Sequence, residues 1–152
     1  MVSCEGKENP YVGREQGRGA SEVCGDVHQG GNLDTAQEIY APDYVGHEPT
    51  SGEMRGIEGA RQFAAPFREA FPDLQTTIED MVAEGNKVVT RFSFRGTHQG
   101  ETEDLGPPTG NQFEVMGITI EQFSDGKIVQ DWTNFDALGL LQQLGLMEQP
   151  TG

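Results

Sequence analysis

Basic residues and long apolar runs are scarce in this chain, and each scarcity excludes a class of protein. Lysine occurs only at Lys7, Lys87 and Lys127, and 25 acidic against 10 basic residues give a formal net charge of −15. Such a surface repels phosphates, so we expect no nucleic acid and no membrane as partner. No apolar run approaches the ~18 residues of a membrane helix, and residues 1–10 lack a secretory pattern. We therefore expect a soluble, cytoplasmic protein. Its acidic, lysine-poor surface is either that of an ordinary acidic protein or an adaptation to a high-salt cytoplasm.

Cysteine is also rare, and both copies lie in an unusual N-terminal stretch. Cys4 and Cys24 are too few for a disulfide framework and have no zinc-like spacing with histidine, so we interpret them as free thiols. Residues 1–31 are rich in glycine and poor in large apolar side chains, which predicts a flexible or weakly docked segment. The 152 residues suit one domain, which we place at 32–147, followed by a tail at 148–152.

Helix signals come first in the more regular part of the sequence. Asn32 or Asp34 can cap a short helix over residues 35–40, and residues 43–51 indicate an irregular connector. A longer helix follows, because apolar residues recur on one face at Ile57, Ala60, Phe63, Ala64, Phe67 and Phe71. Pro66 is expected to kink or split this helix, since proline lacks the backbone N–H that a helix interior needs.

Strand signals fill the second half of the chain. Strands are predicted at residues 74–83, 87–97, 112–123 and 127–135. The turn at residues 124–126 contains Asp-Gly, which favours a hairpin. Asp136 is the candidate N-cap of a last helix over residues 137–144, which Gly145 ends. Helices followed by a strand meander predict an α+β fold, with a curved antiparallel sheet packed against N-terminal helices and a short C-terminal helix.

Side-chain alternation along these strands predicts a pocket. Residues of one parity on the last strand share a face: Ile128, Gln130, Trp132, Asn134 and Asp136. On the second strand, His98 shares its parity with Phe92 and Phe94 if no bulge intervenes. If both sets face the concave side of the sheet, then Asp136, Asn134, Trp132 and His98 meet at one apolar pocket.

Such a pocket suits proton transfer at carbon. An apolar surrounding raises the pKa of a carboxylate towards neutrality, so that it can remove a proton α to a carbonyl. A histidine or amide can then hydrogen-bond the enolate oxygen, and this chemistry needs no metal.

Each candidate also has a purely structural interpretation. Asp136 is either a helix cap alone or a cap and a catalytic group, and His98 either acts in the site or ties down its loop. His47 either lines the pocket mouth or lies in solvent. Trp132 is either core or a ligand platform, and the phenylalanine stripe that includes Phe63 is typical of a core.

The segment from residue 32 to residue 145 resembles the SnoaL-like polyketide cyclases, also called ester cyclases. Four stretches carry the resemblance: NLDTAQEIYAPDYVGHEP, FPDLQTTIEDMVAEGNKVVTRFSFRGTHQGE, GPPTGNQFEVMGITIEQFSDGKIVQDW and FDALGLLQQLG. The resemblance implies a nuclear transport factor 2-like cone and often a homodimer through the sheet. The amphipathic helix with which the family normally begins is replaced here by the glycine-rich segment of residues 1–31.

The resemblance also implies a reaction and a set of site residues. Characterised relatives close a ring by intramolecular aldol condensation of a polyketide ester, with acid–base chemistry and no cofactor. The family aspartate falls on Asp136, the family histidines fall on His47 and His98, and Gln122 is the nearest candidate for a polar partner. We expect a small hydrophobic, polyketide-like substrate to contact Trp132, Asn134, Gln122, Phe92 and Phe63. The alternative is a non-catalytic protein of the same fold that binds a small hydrophobic ligand.

Overall fold

The computed structural model describes residues 36–148, so the expectations for residues 1–31 and for a cap at Asn32 or Asp34 lie outside the described part. The helices of this part are α1 (Ala36–Ile39), α2 (Gly56–Ala70) and α3 (Ala137–Gln143). Its strands are β1 (Tyr40–Glu48), β2 (Gly52–Arg55), β3 (Gln75–Glu84), β4 (Lys87–Thr97), β5 (Gln112–Ser124) and β6 (Lys127–Phe135). No helix within residues 36–148 is long and apolar enough to cross a membrane.

All six strands form one curved sheet in the order β2-β1-β6-β5-β4-β3. The predicted α+β class and the nuclear transport factor 2-like cone are confirmed. The sheet is mixed, however, because β1 runs parallel to β6 while the other neighbours are antiparallel. The prediction of a purely antiparallel sheet is therefore wrong at the seam between β1 and β6.

The irregular connector predicted at residues 43–51 is also wrong, because most of it belongs to β1 and the turn into β2. Tyr44 and Glu48 are buried while the intervening His47 is half-buried, which is the alternation of a strand with one covered face. The sequence did not predict this strand because Pro42 lies within it, and proline argues against a regular strand. Pro42 lies where the register against β6 shifts, so its missing N–H interrupts no regular ladder.

Helix α2 packs on one face of the sheet, here called the inner face, and the opposite face is called the outer face. Pro66 lies inside α2, but the helix continues to Ala70, so the predicted split is wrong. Phe63 and Phe67 stand on either side of this proline with ring centroids 5.7 Å apart, and Phe67 also contacts rings of the sheet. This packing holds the helix together despite one lost hydrogen bond.

The sequence located β3 to β6 within one residue at each end. The sequence did not predict one local feature, a bulge in β6. Phe123 pairs with Ile128 and Gln122 pairs with Gln130, so Val129 is an extra residue on β6. Side chains alternate between the two faces along a strand. The extra residue therefore moves every later side chain of β6 to the face opposite the one that strict alternation from Ile128 predicts.

Candidate active site

An aromatic cleft lies between α2 and the inner face of the sheet. It is narrow, with a cavity volume of about 50 Å³, and five phenylalanines line it: Phe63, Phe67, Phe92, Phe94 and Phe135. The Phe67 ring lies edge-on to the rings of Phe94 and Phe135, at centroid distances of 6.3 Å and 5.8 Å. A cleft with such walls favours a flat, apolar ligand.

The inner face is organised in cross-strand rows, because register partners on neighbouring strands lie side by side. The aromatic row pairs Phe92 with Gly117 and Gly117 with Phe135. A Cβ at Gly117 would come within 2.5 Å of the Phe92 ring, so only glycine leaves room for that ring there. Two further rows follow along the strands, first a row of threonines and then a row of acids.

The threonine row joins the aromatic cleft to the acidic row. Thr90 pairs with Thr119, and Thr119 pairs with Thr133, which itself lines the cleft. The hydroxyls of Thr119 and Thr133 share a hydrogen bond of 2.9 Å. The buried Thr90 Oγ1 has no hydrogen-bond partner among the described residues, which is uncommon for a buried hydroxyl.

The acidic row consists of Glu121 on β5 and Asp131 on β6, which are register partners. Glu121 is 3% exposed and Asp131 is 7% exposed. The Tyr44 hydroxyl donates a 2.7 Å hydrogen bond to Asp131 Oδ2. Glu121 Oε2 and Asp131 Oδ1 have no hydrogen-bond partner in the described part of the chain. Two buried carboxyls with free oxygens are costly for stability and are typical of functional sites.

Burial gives both acids unusual proton affinities. Burial and the neighbouring Asp131 charge raise the pKa of Glu121 to about 8. Burial raises the pKa of Asp131 to about 6, although the Tyr44 hydroxyl and His47 act to lower it. Burial also raises the pKa of Tyr40 and Tyr44 well above the usual range, so both phenols stay protonated. Burial therefore disfavours the charged form of both carboxyls, and the Asp131 charge disfavours that of Glu121 further.

Two predicted catalytic residues lie away from this row. The exposed Asp136 caps α3, and its Oδ1 accepts a 2.8 Å hydrogen bond from the Gly139 N–H. His98 is fully buried beside Phe71, and its Nδ1 lies 3.3 Å from both Oγ1 and N of Thr109. The structure thus places Asp136 as a helix cap and His98 as the anchor of the loop between β4 and β5.

The remaining polar candidates lie on the outer face. For Trp132 and Asn134 the reason is the bulge at Val129, which reverses the predicted parity on β6. His47 stacks on Trp132 at 5.6 Å between ring centroids, with an interplanar angle of 12°. Asn134 is the register partner of the exposed Ile118, and Gln122 is the register partner of Gln130. The predicted meeting of Asp136, Asn134, Trp132 and His98 at one pocket is therefore corrected: the structure does not bring them together.

Phe63 and Phe92, for which contact with a substrate was predicted, line the cleft. Sequence reasoning missed Tyr44, Glu121 and Asp131. A signal for Glu121 was available, because it is the one charged residue at the inner positions of β5. Among residues 36–148, no group of three or more histidine, cysteine, aspartate or glutamate side chains could hold a metal ion.

Comparison with known proteins gives a consistent assignment. Residues 20–144 match the family model described as SnoaL-like polyketide cyclase. IdmH from Streptomyces antibioticus, a candidate polyketide cyclase, is 34% identical with a TM-score of 0.74, over 84% of this chain and 96% of that one. TsrD from Streptomyces laurentii is 30% identical with a TM-score of 0.77, over 90% and 99%.

A candidate SnoaL-like polyketide cyclase from Jannaschia sp. CCS1 has a TM-score of 0.81 at 22% identity, over 93% of this chain and 99% of that one, which shows the shared fold. No curated protein matches the chain. The family model spans most of the sequence, and the solved structures cover most of the chain with the same fold. The chain therefore belongs to the SnoaL-like polyketide cyclase family.

Proposed function

We propose that this chain is an acid–base enzyme of the cyclase or isomerase type, in which Asp131 removes a proton from a carbon α to a carbonyl. The observation that carries this proposal is the pair of buried carboxyls, Glu121 and Asp131, which lie beyond the threonine row on the same face of the sheet as the aromatic cleft. A base works best when its pKa lies near the working pH. Burial raises the pKa of Asp131 to about 6, which meets that condition.

The cleft suggests how a substrate would lie. Its apolar part would occupy the space between the phenylalanine rings, and its carbonyl oxygen would accept hydrogen bonds from the hydroxyls of Thr133 and Thr90. These donors would stabilise the oxygen as it gains negative charge. The α carbon would then face Asp131, which is the next inner residue of β6 beyond Thr133.

The proposed reaction balances without an external reagent. The Asp131 carboxylate takes the α proton, and the electrons of the broken C–H bond form an enolate. The enolate carbon attacks a second carbonyl carbon of the same molecule, which forms the new C–C bond and an alkoxide. The alkoxide takes the proton back from Asp131. A small hydrophobic, polyketide-like ester is the proposed substrate, and the assignment of IdmH as a candidate polyketide cyclase supports this class.

The test is exchange of α protons for deuterium in 2-tetralone, an uncharged aromatic ketone, followed by proton NMR in D₂O. We expect the full chain to accelerate exchange, and Asp131→Asn to lower that acceleration by roughly 10²–10⁴-fold, the usual contribution of general acid–base catalysis. Asp136→Asn is the matched control, because asparagine also caps helices. It should retain exchange.

Two outcomes would contradict the proposal. Retention of exchange in Asp131→Asn would exclude this residue as the base, and loss of exchange in Asp136→Asn would return that role to Asp136. If 2-tetralone shifts the NMR signals of the cleft phenylalanines but no variant exchanges its protons, the chain is a binding protein for small hydrophobic molecules.

We further propose that the chain forms a homodimer through the outer face of the sheet. Met116, Ile118 and Ile120 follow one another on this face and are 49%, 48% and 36% exposed. The stacked rings of His47 and Trp132 extend this apolar surface. Contiguous apolar surface of this kind is typical of protein–protein interfaces, and a second copy supplies a surface of the same character.

A further inference from the structure

Glu121 is a buried acid to which the proposed reaction gives no step. It lies on β5 directly opposite Asp131, and Glu121 Oε2 and Asp131 Oδ1 lack a hydrogen-bond partner within residues 36–148. A carboxylate buried in this way loses its hydration without gaining donors, which disfavours its charged form.

The neighbours of the pair do not compensate two negative charges. From β1, Tyr40 and Tyr44 face the pair as neutral phenols, and the Tyr44 hydroxyl bonds Asp131 alone. From β4, Val88 lies beside Glu121, with Thr90 next along the strand. The small side chains of Ala60 and Ala64 complete this core on the α2 side.

The described charges that act on the pair come from His47 and from the pair itself. Among the described residues, His47 on β1 is the charged group that lowers the pKa of Asp131, and its ring lies on the outer face. The described charge that acts on Glu121 is that of Asp131 itself. On α2, Arg61 lies 4.0 Å from the Glu58 carboxylate, and Arg68 lines the aromatic cleft. Two adjacent buried carboxylates without a dedicated cation cannot both ionise near neutral pH.

We propose that Glu121 is a positioning residue that remains protonated, so that the pair holds one negative charge and that charge resides on Asp131. Tyr44 selects the charged partner, because its hydroxyl donates to Asp131 and to no oxygen of Glu121. This inference deepens the proposed function, since it says why Asp131 rather than Glu121 is the base. It concerns protonation alone and can therefore hold even if the chain only binds a ligand.

The test is a carboxyl carbon-13 NMR titration of the full chain, with Glu121→Gln and Asp131→Asn identifying the two signals. We expect Asp131 to titrate first, with a midpoint near 6, and Glu121 to follow near 8. Asp131→Asn should lower the Glu121 midpoint, because the neighbouring charge is gone, while burial keeps it above 4.5. A Glu121 midpoint below 5 in the unsubstituted chain, or the reverse order of titration, would overturn the inference.

A stability measurement gives a second readout that requires no ligand. A carboxyl whose pKa is higher in the folded chain binds extra protons there, so stability falls as pH rises from the unfolded pKa to the folded one. For Glu121 this window runs from about 4.5 to about 8. We expect Glu121→Gln to reduce the fall in thermal midpoint between pH 5 and pH 8.

The matched control is Glu114→Gln, which changes an exposed carboxyl on the outer face of the same strand. It should preserve the slope of thermal midpoint against pH. Equal slopes in Glu121→Gln and the unsubstituted chain would contradict a protonated Glu121. Loss of deuterium exchange in Asp131→Asn belongs to the proposed function and would not change either result.

Discussion

At the scale of the residue, environment separates Asp131, in the middle of β6, from Asp136, which follows the end of that strand. Asp131 lies 7% exposed among aromatic and aliphatic side chains, whereas Asp136 is exposed and bonds the Gly139 N–H. Burial raises the pKa of Asp131 to about 6, which makes this carboxylate a stronger base than an aspartate in water. The difference between a base and a cap thus follows from burial.

Tyr44 offers a direct test of this environment. Its hydroxyl donates to the charged form of Asp131, so Tyr44→Phe removes a contact that lowers the pKa of Asp131. We expect the Asp131 midpoint to rise above 6 in a carboxyl NMR titration. The variant should also lose about 1–3 kcal/mol of unfolding free energy, because an acceptor is left unpaired in the interior.

Glu48 provides an internal control in the same sample. Burial raises the pKa of Glu48, but hydrogen bonds from Thr50 and Ser51 outweigh that effect and hold the pKa below its usual value. These donors do not involve Tyr44, so the Glu48 midpoint should stay fixed in Tyr44→Phe. An unmoved Asp131 midpoint would show that the Tyr44 contact does not set its proton affinity.

At the scale of the element, the sequence predicted β4 and β6 with their observed ends but assigned the wrong face of β6 to the pocket. The reason is the single extra residue Val129, which follows a hairpin and leaves no compositional signal. Alternation predicts a face only while the register is unbroken. Phe63 and Phe92, on elements where the pattern is regular, line the cleft, and their contact with a substrate stays a prediction.

The structural role of Asp136 is to cap the N-terminus of the short helix α3. Asp136→Ala removes the acceptor for the Gly139 N–H, and we expect a loss of about 1 kcal/mol of unfolding free energy in urea denaturation. Asp136→Asn, which keeps a capping oxygen, should change that free energy by a few tenths of a kcal/mol at most. If the alanine and asparagine variants were equally stable, the side chain would not act as a cap.

At the scale of the whole molecule, a net charge of −15 opposes association of two copies, while the apolar outer face favours it. Salt screens charges at the surface over roughly 10 Å at 0.1 M, so the proposed dimer should tighten as salt is added. Ile118→Ser should weaken the dimer in sedimentation experiments by at least tenfold in Kd. Leu138→Ser, at a 53% exposed residue of α3, is the control and should leave Kd unchanged.

The overall architecture was more predictable than the site. The stretches that resemble the family predicted both the cone-shaped fold and the family, because they span most of the elements that build the sheet. The parallel pairing of β1 with β6 was not predictable from local pattern, since it joins Tyr40 to Ile128 across the length of the domain. The buried acids depend on that pairing, because it brings Tyr44 to Asp131.

The most direct measurement is the pH profile of 2-tetralone deuterium exchange by the full chain, after subtraction of the buffer rate. A base must be ionised to accept a proton, so exchange should rise with pH around a midpoint near 6, where burial places the pKa of Asp131. That step should disappear in Asp131→Asn and persist in Asp136→Asn. A step that survives in Asp131→Asn, or that vanishes in Asp136→Asn, would contradict the account.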